Sequence, residues 1–369
     1  MVTNIPAPYR EGIHAKMNER LGSDYHVFYC ASTERNRHWI VENGSYFKTF
    51  LKPSVFGKRK FYLNMDIIRQ LRHFDPDVVV TGGFSPTMLL CFLWCVLNCR
   101  KHVVYSDGTL ISEQHLGRLH KIIRRLVYGR TSAFIGVSKK SLDLYRSYKV
   151  DEQALFLSPY CADNSKYLEV VGARKEFDLM FCGQLITRKM PDFFFDVVCQ
   201  IRKVRKCRVL IVGDGELRPS FLEKLRAANI DFTYRGFLQA DELPYAYATS
   251  RILLFPTQYD AWGVVSNEAC AAGVPVITCA AAGAAHELVV DGFNGYILPL
   301  EPDLWAKHAL ELLSDSGKMR QFSVNAIQAV QRYDFNSAAD GLSEAVRFAL
   351  SKQLLSGRAN KMDHIKHTD

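Results

Sequence analysis

Short apolar runs alternate along this chain with longer stretches of helical periodicity. Val78–Val80, set between Asp77 and Thr81, reads as a strand that ends at Gly82-Gly83. Met88–Leu97 reads as the buried helix after it. His102–Tyr105 is the next strand, closing on Ser106-Asp107-Gly108-Thr109, and Ala133–Val137 is another. The second half repeats this arrangement, with strands predicted at Phe177–Cys182, Arg208–Val212, Phe232–Arg235, Ile252–Phe255 and Val274–Thr278. Helices are predicted between them, among them Pro191–Ile201 and Leu217–Ala228. This alternation implies an α/β fold of parallel sheets with helices on both faces. Uninterrupted apolar strands such as Val209-Leu-Ile-Val212 fit sheets buried on both sides.

The alternation lapses near Pro159–Arg174, where Ser158-Pro159-Tyr160 breaks the chain. It predicts one domain over residues 1–165 and a second over 166–335. A last helix is expected over 336–352 and a loose tail over 353–369. At the other end, Met1-Val2-Thr3-Asn4 matches only the close of a first strand, so either that strand is very short or the true start lies upstream. A length of 369 residues suits two or three domains, and 48% hydrophobic with 23% charged residues is a globular composition.

Ten cysteines are scattered without a CxxC pair, against a disulfide framework or a clustered zinc site. Cys91, Cys95 and Cys99, four residues apart, are expected on one helix face inside a core, and the scatter suggests a reducing cytoplasm. No signal peptide is visible. The longest apolar run, Met88–Leu97, falls short of the roughly 20 residues that cross a bilayer, so a soluble or peripheral protein is expected.

Charge changes the picture. The net charge is +9, but residues 1–166 hold 24 Lys and Arg against 14 Asp and Glu, giving +10 and leaving −1 for the rest. A one-sided basic excess calls for an anionic partner such as a membrane surface, a phosphorylated lipid or a nucleic acid. Arg118–Arg130 interleaves apolar and basic residues at helical spacing. It is expected to lie on an anionic membrane through Lys121, Arg124 and Arg125, with Lys58-Arg-Lys60 adding to it. The ordinary alternative is a solvated charged face over a packed apolar one. No interleaved aromatic and basic platform supports nucleic-acid binding.

In open parallel sheets ligands bind beyond the carboxyl ends of the strands, and three unusual groups sit there. In Pro256–Pro275, Asp260 ends a loop, a helix begins near Gly263, and Glu268 lies early in it. The free N–H groups and positive dipole of such a helix start suit a diphosphate. In Phe181–Met190, Gly183 lets the backbone turn and sets Arg188 and Lys189 where a phosphate would lie. In Val212–Glu216, Gly213 and Gly215 form half of a GxGxxG turn, Arg218 replacing the third glycine. Each alone admits a plain reading: a capping Asp, a solvated Arg-Lys pair, a tight turn.

Together and in this order, the three groups resemble the family 4 retaining glycosyltransferases, also called glycosyl transferases group 1. The resemblance is strong from Phe177 to Leu298, through Asp260-x7-Glu268, Gly273-Val-Pro275 and Asp291-Gly-Phe-Asn-Gly-Tyr-Ile-Leu298. It is looser in the first half, through Pro8-Tyr9-Arg10, Glu34-Arg-Asn-Arg37 with Trp39, Thr81-Gly-Gly83 and Ser106-Asp-Gly-Thr109. It implies the GT-B fold, two Rossmann-like domains whose parallel sheets face across a cleft, with the last helix crossing back to the first domain.

By resemblance, Lys189 binds the donor diphosphate and stabilises the leaving group, Glu268 holds the donor ribose, and Asp260 contacts the donor sugar. Trp262, Gly263 and Val264 offer backbone N–H groups, and Gly183, Gln184 and Gly213 line the donor site. Arg10, Gly12 and Asp107 lie on the acceptor side; the plain alternative for Asp107 is a cap on the next segment. Two departures stand out. Gln184 occupies a position where the family usually has Arg, with Arg188 as its candidate replacement, and Asp260 is one methylene shorter than the usual Glu.

The implied reaction is metal-independent glycosyl transfer with retention, needing no cofactor beyond the nucleotide-diphosphate sugar that is its donor. The expected acceptor is an anionic lipid-linked or polysaccharide precursor of lipopolysaccharide, O-antigen or capsule. The expected location is cytoplasmic, peripheral on the inner face of the cell membrane. Rival readings are a nucleotide-sugar 2-epimerase of the same fold and a non-catalytic sugar-binding relative. A dinucleotide oxidoreductase is disfavoured by the incomplete GxGxxG.

Overall fold

The computed structural model describes residues 1–34, 39–40, 44–53 and 62–365, of which 352–365 are described as helical backbone only. The chain divides into two compact units. The first runs to Pro159 and takes the chain back from Asn336; the second is Tyr160–Phe335, with a short excursion at 39–40.

The first unit holds seven strands: β1 (Val2–Thr3), β2 (Val27–Tyr29), β3 (Lys48–Phe50), β4 (Val78–Thr81), β5 (Lys101–Ser106), β6 (Ala133–Gly136) and β7 (Leu155–Leu157). They pair in the order β3-β2-β1-β4-β5-β6-β7, and every pairing is parallel. β1 is thus the strand at which the order reverses. The second unit holds β8 (Phe177–Cys182), β9 (Arg208–Val212), β10 (Asp231–Tyr234), β11 (Ser250–Phe255), β12 (Val276–Thr278) and β13 (Gly295–Ile297). Their order is β10-β9-β8-β11-β12-β13, again all parallel, with the reversal at β8. Residues 209–212 of β9 and 179–182 of β8 are buried, as expected for apolar strands covered on both faces. Phe181, Phe194, Phe221 and Trp305 anchor the core of that unit.

The helix Phe335–Ile365 carries the returning chain. Within the first unit the Ser158 hydroxyl donates to the Ala338 carbonyl at 2.7 Å, Arg20 pairs with Asp340 at 2.8 Å, and Phe156 packs on Phe348.

Two sequence expectations are corrected here. Cys91 and Cys95 are buried on the helix Pro86–Leu97, but Cys99 is exposed and lies beyond its end. Asn98 caps that helix by donating to the Trp94 carbonyl at 2.8 Å, and Cys99 turns left-handed with φ 54°, so the shared face stops at Cys95. On the helix Arg118–Tyr128, Arg124 does not face outward: it is buried, ion-paired with Glu113, and lies 4.5 Å over the Phe84 ring. Lys58–Lys60 and Arg35–Arg37 lie outside the described residues.

Candidate active site

Because β8 is the reversal strand, the loops leaving β8, β9 and β11 emerge side by side at the carboxyl edge of the second sheet. The first two are closely joined. The Gly183 N–H donates to the Val212 carbonyl at 3.0 Å and the Leu185 N–H to the Asp214 carbonyl at 2.9 Å. Gly213 has φ 126°, and a Cβ there would come within 1.9 Å of the Gly183 oxygen, so the close approach requires glycine. Gln184 sits partly exposed in the same loop.

A short turn, Thr187–Lys189, then carries both cations to one carboxylate. Lys189 Nζ is ion-paired with Asp260 Oδ2, and Arg188 Nη1 lies 3.2 Å from the same oxygen. Arg188 also donates to the Tyr259 carbonyl at 2.8 Å. The loop after β11 grips the turn in return, with the Gln258 N–H 2.9 Å and the Thr257 hydroxyl 3.2 Å from the Arg188 carbonyl. Burial alone would raise the Asp260 carboxyl, but Lys189, then Arg188 and the Trp262 N–H, hold it below its ordinary value. Two cations against one carboxylate leave a positive point. The resemblance gives Asp260 a sugar-contacting role; this ion pairing is an interaction that sequence reasoning missed.

The helix Val264–Ala271 starts beside this cluster. Its cap, Gly263, has φ 93°, and a Cβ there would meet the Phe255 ring at 2.5 Å. The amides of Val264 and Val265 have no acceptor within a helix that begins at Val264. Trp262 contributes its backbone N–H, 3.3 Å from Asp260 Oδ1. Its indole is fully buried, donating to Asn267 Oδ1 at 2.6 Å and packing on Tyr333.

Glu268, one turn further on, is held by phenols. The Tyr247 hydroxyl donates to Glu268 Oε2 at 2.7 Å, and Tyr167 makes a second hydrogen bond. Burial pushes the Glu268 carboxyl up to about 7, against the opposing pull of the two tyrosines and Lys189. Neither tyrosine is near a motif in sequence, so sequence reasoning missed both.

In the first unit, Arg10 donates to the Thr3 hydroxyl at 2.7 Å and lies 5.3 Å over the Tyr105 ring. Gly12 follows on the same helix, Pro8–Leu21. Glu11 between them accepts from Tyr29 at 3.1 Å and Tyr46 at 2.7 Å, and its carboxyl is raised, first by burial. This acid–tyrosine cluster was also missed. Asp107 is exposed at the end of β5. The next helix is capped by Thr109, through a reciprocal pair with Ser112, and not by Asp107.

Residues 176–315, all within the second unit, match the family model of Glycosyl transferases group 1. An uncharacterised glycosyltransferase of Methanocaldococcus jannaschii is 26% identical over 178 residues, 47% of this chain and 45% of that protein. The match thus spans a little under half of that relative's length. An uncharacterised 41.2 kDa protein from the cps region of Klebsiella pneumoniae is 27% identical over 81% of this chain and 86% of its own. The crystal structure of Anabaena HepE in complex with UDP and glucose superposes with a TM-score of 0.74 at 16% identity, over 94% of this chain and 99% of that one. The fold is GT-B, two Rossmann-like units on parallel sheets of seven and six strands, and the similarity to glycosyl transferases group 1 lies in the second of them.

Proposed function

We propose that the chain moves a glycosyl group, with retention and without a metal, from a nucleoside-diphosphate sugar to an anionic lipid-linked or polysaccharide-precursor acceptor. The observation that carries this reading is the convergence of Lys189 and Arg188 on Asp260 beside the start of the helix Val264–Ala271. A diphosphate competes well for those cations because it brings more negative charge than the one carboxylate and meets the helix amides as well. The same cations and amides then stabilise the charge that develops on the departing nucleoside diphosphate. Glu268 holds the ribose hydroxyls, and Gly183, Gln184 and Gly213 shape the floor of the donor site. The complex of the similar Anabaena protein with UDP and glucose supports a nucleotide-sugar donor.

Arg10, Gly12 and Asp107 are assigned to the acceptor side. The +10 excess of residues 1–166 supports an anionic acceptor and peripheral contact with the inner face of the cell membrane. The cps-region relative supports a role in surface glycan synthesis. No helix among the described residues is long and apolar enough to cross a membrane.

Calorimetric titration with UDP, uridine and a panel of nucleotide sugars tests the donor reading. A nucleoside diphosphate is expected to bind much more tightly than its nucleoside. Equal or absent binding of all diphosphates would reject it.

A further inference from the structure

The helix Arg118–Tyr128 has two outward faces of different chemistry. At 100° per residue, Leu119, Ile122 and Leu126 fall within about 60° of one another. They are 66%, 51% and 66% exposed, so this stripe is uncovered. Arg118, Lys121 and Arg125 form a parallel stripe next to it and are exposed as well. The opposite side, with Arg124, Val127 and Tyr128, is buried. The helix contains no acidic residue.

The basic stripe borders a cavity of about 250 Å³ between the helices Leu110–Glu113, Arg118–Tyr128 and Lys139–Ser147. Lys121 and Arg125 line it, with Gln114, Ser147 and Tyr148 as neutral hydrogen-bonding partners. Glu113 also lines it, but its charge is matched by Arg124. Lys121 and Arg125 have no ion-pair partner among the described residues.

We infer that this face docks on an anionic lipid surface, with Leu119, Ile122 and Leu126 entering the acyl boundary and the Lys121–Arg125 cavity receiving a lipid phosphate. Both stripes are needed for the assignment. An aliphatic row alone fits any apolar partner, and a basic row alone fits any polyanion. Side by side on one helix they match the layering of a lipid leaflet, phosphate beside hydrocarbon. The inference deepens the proposed anionic, lipid-linked acceptor and rests on that reading for its biological setting. In place of a uniformly basic face it sets an aliphatic stripe beside a basic stripe, and Arg124 belongs to neither.

The test is co-sedimentation of the full chain with vesicles of phosphatidylglycerol in phosphatidylcholine, or of phosphatidylcholine alone. Binding to the anionic vesicles at low salt is expected, with release at high salt and little binding to the neutral ones. K121Q/R125Q should weaken binding about 30-fold, since each charge near such a surface contributes about 1 kcal/mol. L119S/I122S/L126S should weaken it at least about tenfold, the loss persisting where salt has already screened the charges. K203Q/K206Q, an equal charge loss in the second unit, should change little.

Equal binding to neutral vesicles, parent-like binding by either variant, or an equal loss with K203Q/K206Q would overturn the inference. So would protection of the parent, but not of K121Q/R125Q, by inorganic phosphate together with parent-like vesicle binding by the aliphatic variant, because the cavity would then be a soluble-phosphate site. UDP titration of the same proteins separates the two readings. Its failure in the parent would count against the donor site and leave the vesicle result standing.

Discussion

Two glutamates, one in each unit, are held by the same device in different surroundings. Glu11 and Glu268 each lie early in a helix that starts beyond a central strand, and each accepts hydrogen bonds from two tyrosines. Burial raises both carboxyls. Around Glu268, however, the neighbouring loops bring Lys189, Arg188 and open helix amides to one point. Around Glu11 one ammonium, that of Lys48, acts on the carboxyl and lies 4.8 Å over the Tyr46 ring, while Arg10 donates to Thr3 and lies over the Tyr105 ring. On the proposed function a tyrosine-braced carboxylate is not a donor site by itself; the pair of cations and the helix start beside Glu268 make the difference.

The largest test of that contrast removes the charges. Lys189→Ala and Glu268→Ala should each cut turnover by about 10²–10³, the usual cost of deleting one charge-stabilising contact in an active site, with thermal melting showing an intact fold. Near-normal turnover in both would end the assignment.

Arg188→Ala comes next. It should weaken UDP binding about tenfold, from the loss of one charge-assisted hydrogen bond of about 1.5 kcal/mol, and leave uridine unchanged in the same titration. Parent-like UDP binding would mean that Arg188 serves only Asp260 and Tyr259.

A third test reads protons. The ionised Glu268 is the better acceptor for ribose hydroxyls, so donor affinity should rise with pH through about 7. The tyrosines favour the ionised form, so Tyr247→Phe should move that midpoint to higher pH. The sign for stability is opposite. A carboxyl raised from its ordinary value of 4.5 to about 7 binds more protons folded than unfolded between those values, so stability falls as pH rises across that window. Glu268→Gln should therefore melt higher than the parent at pH values above about 7, the difference closing below about 4.5. A pH-independent difference would show that the Glu268 carboxyl titrates alike in the folded and unfolded chain.

The smallest effect belongs to the other glutamate. Glu11→Gln should leave UDP affinity unchanged; a loss comparable to that of Arg188→Ala would erase the contrast.

What was legible in the sequence follows the range of the interactions involved. β8 and β9 were read to the residue because both faces of each are buried, giving uninterrupted apolar runs. β1, β2, β3 and β13 have two or three residues each, too few to show a period. Lys189, Asp260 and Glu268 were singled out through an ordered motif. Their mutual geometry was not, since the Lys189–Asp260 pair closes across 71 residues and Tyr167 and Tyr247 come from separate helices. Arg124 carried a signal that was not used. It lies four residues before Tyr128 on the inward side of its helix, and Glu113 in the preceding helix was available to neutralise it.

The returning helix has a consequence for biosynthesis. The partners of Ser158, Arg20 and Phe156 are Ala338, Asp340 and Phe348, about 180 to 320 positions further along the chain. A ribosome releases the second unit whole before it releases them. The first unit begun is thus the last completed, and its β7 end waits, uncovered by those partners, through the synthesis of the entire second unit.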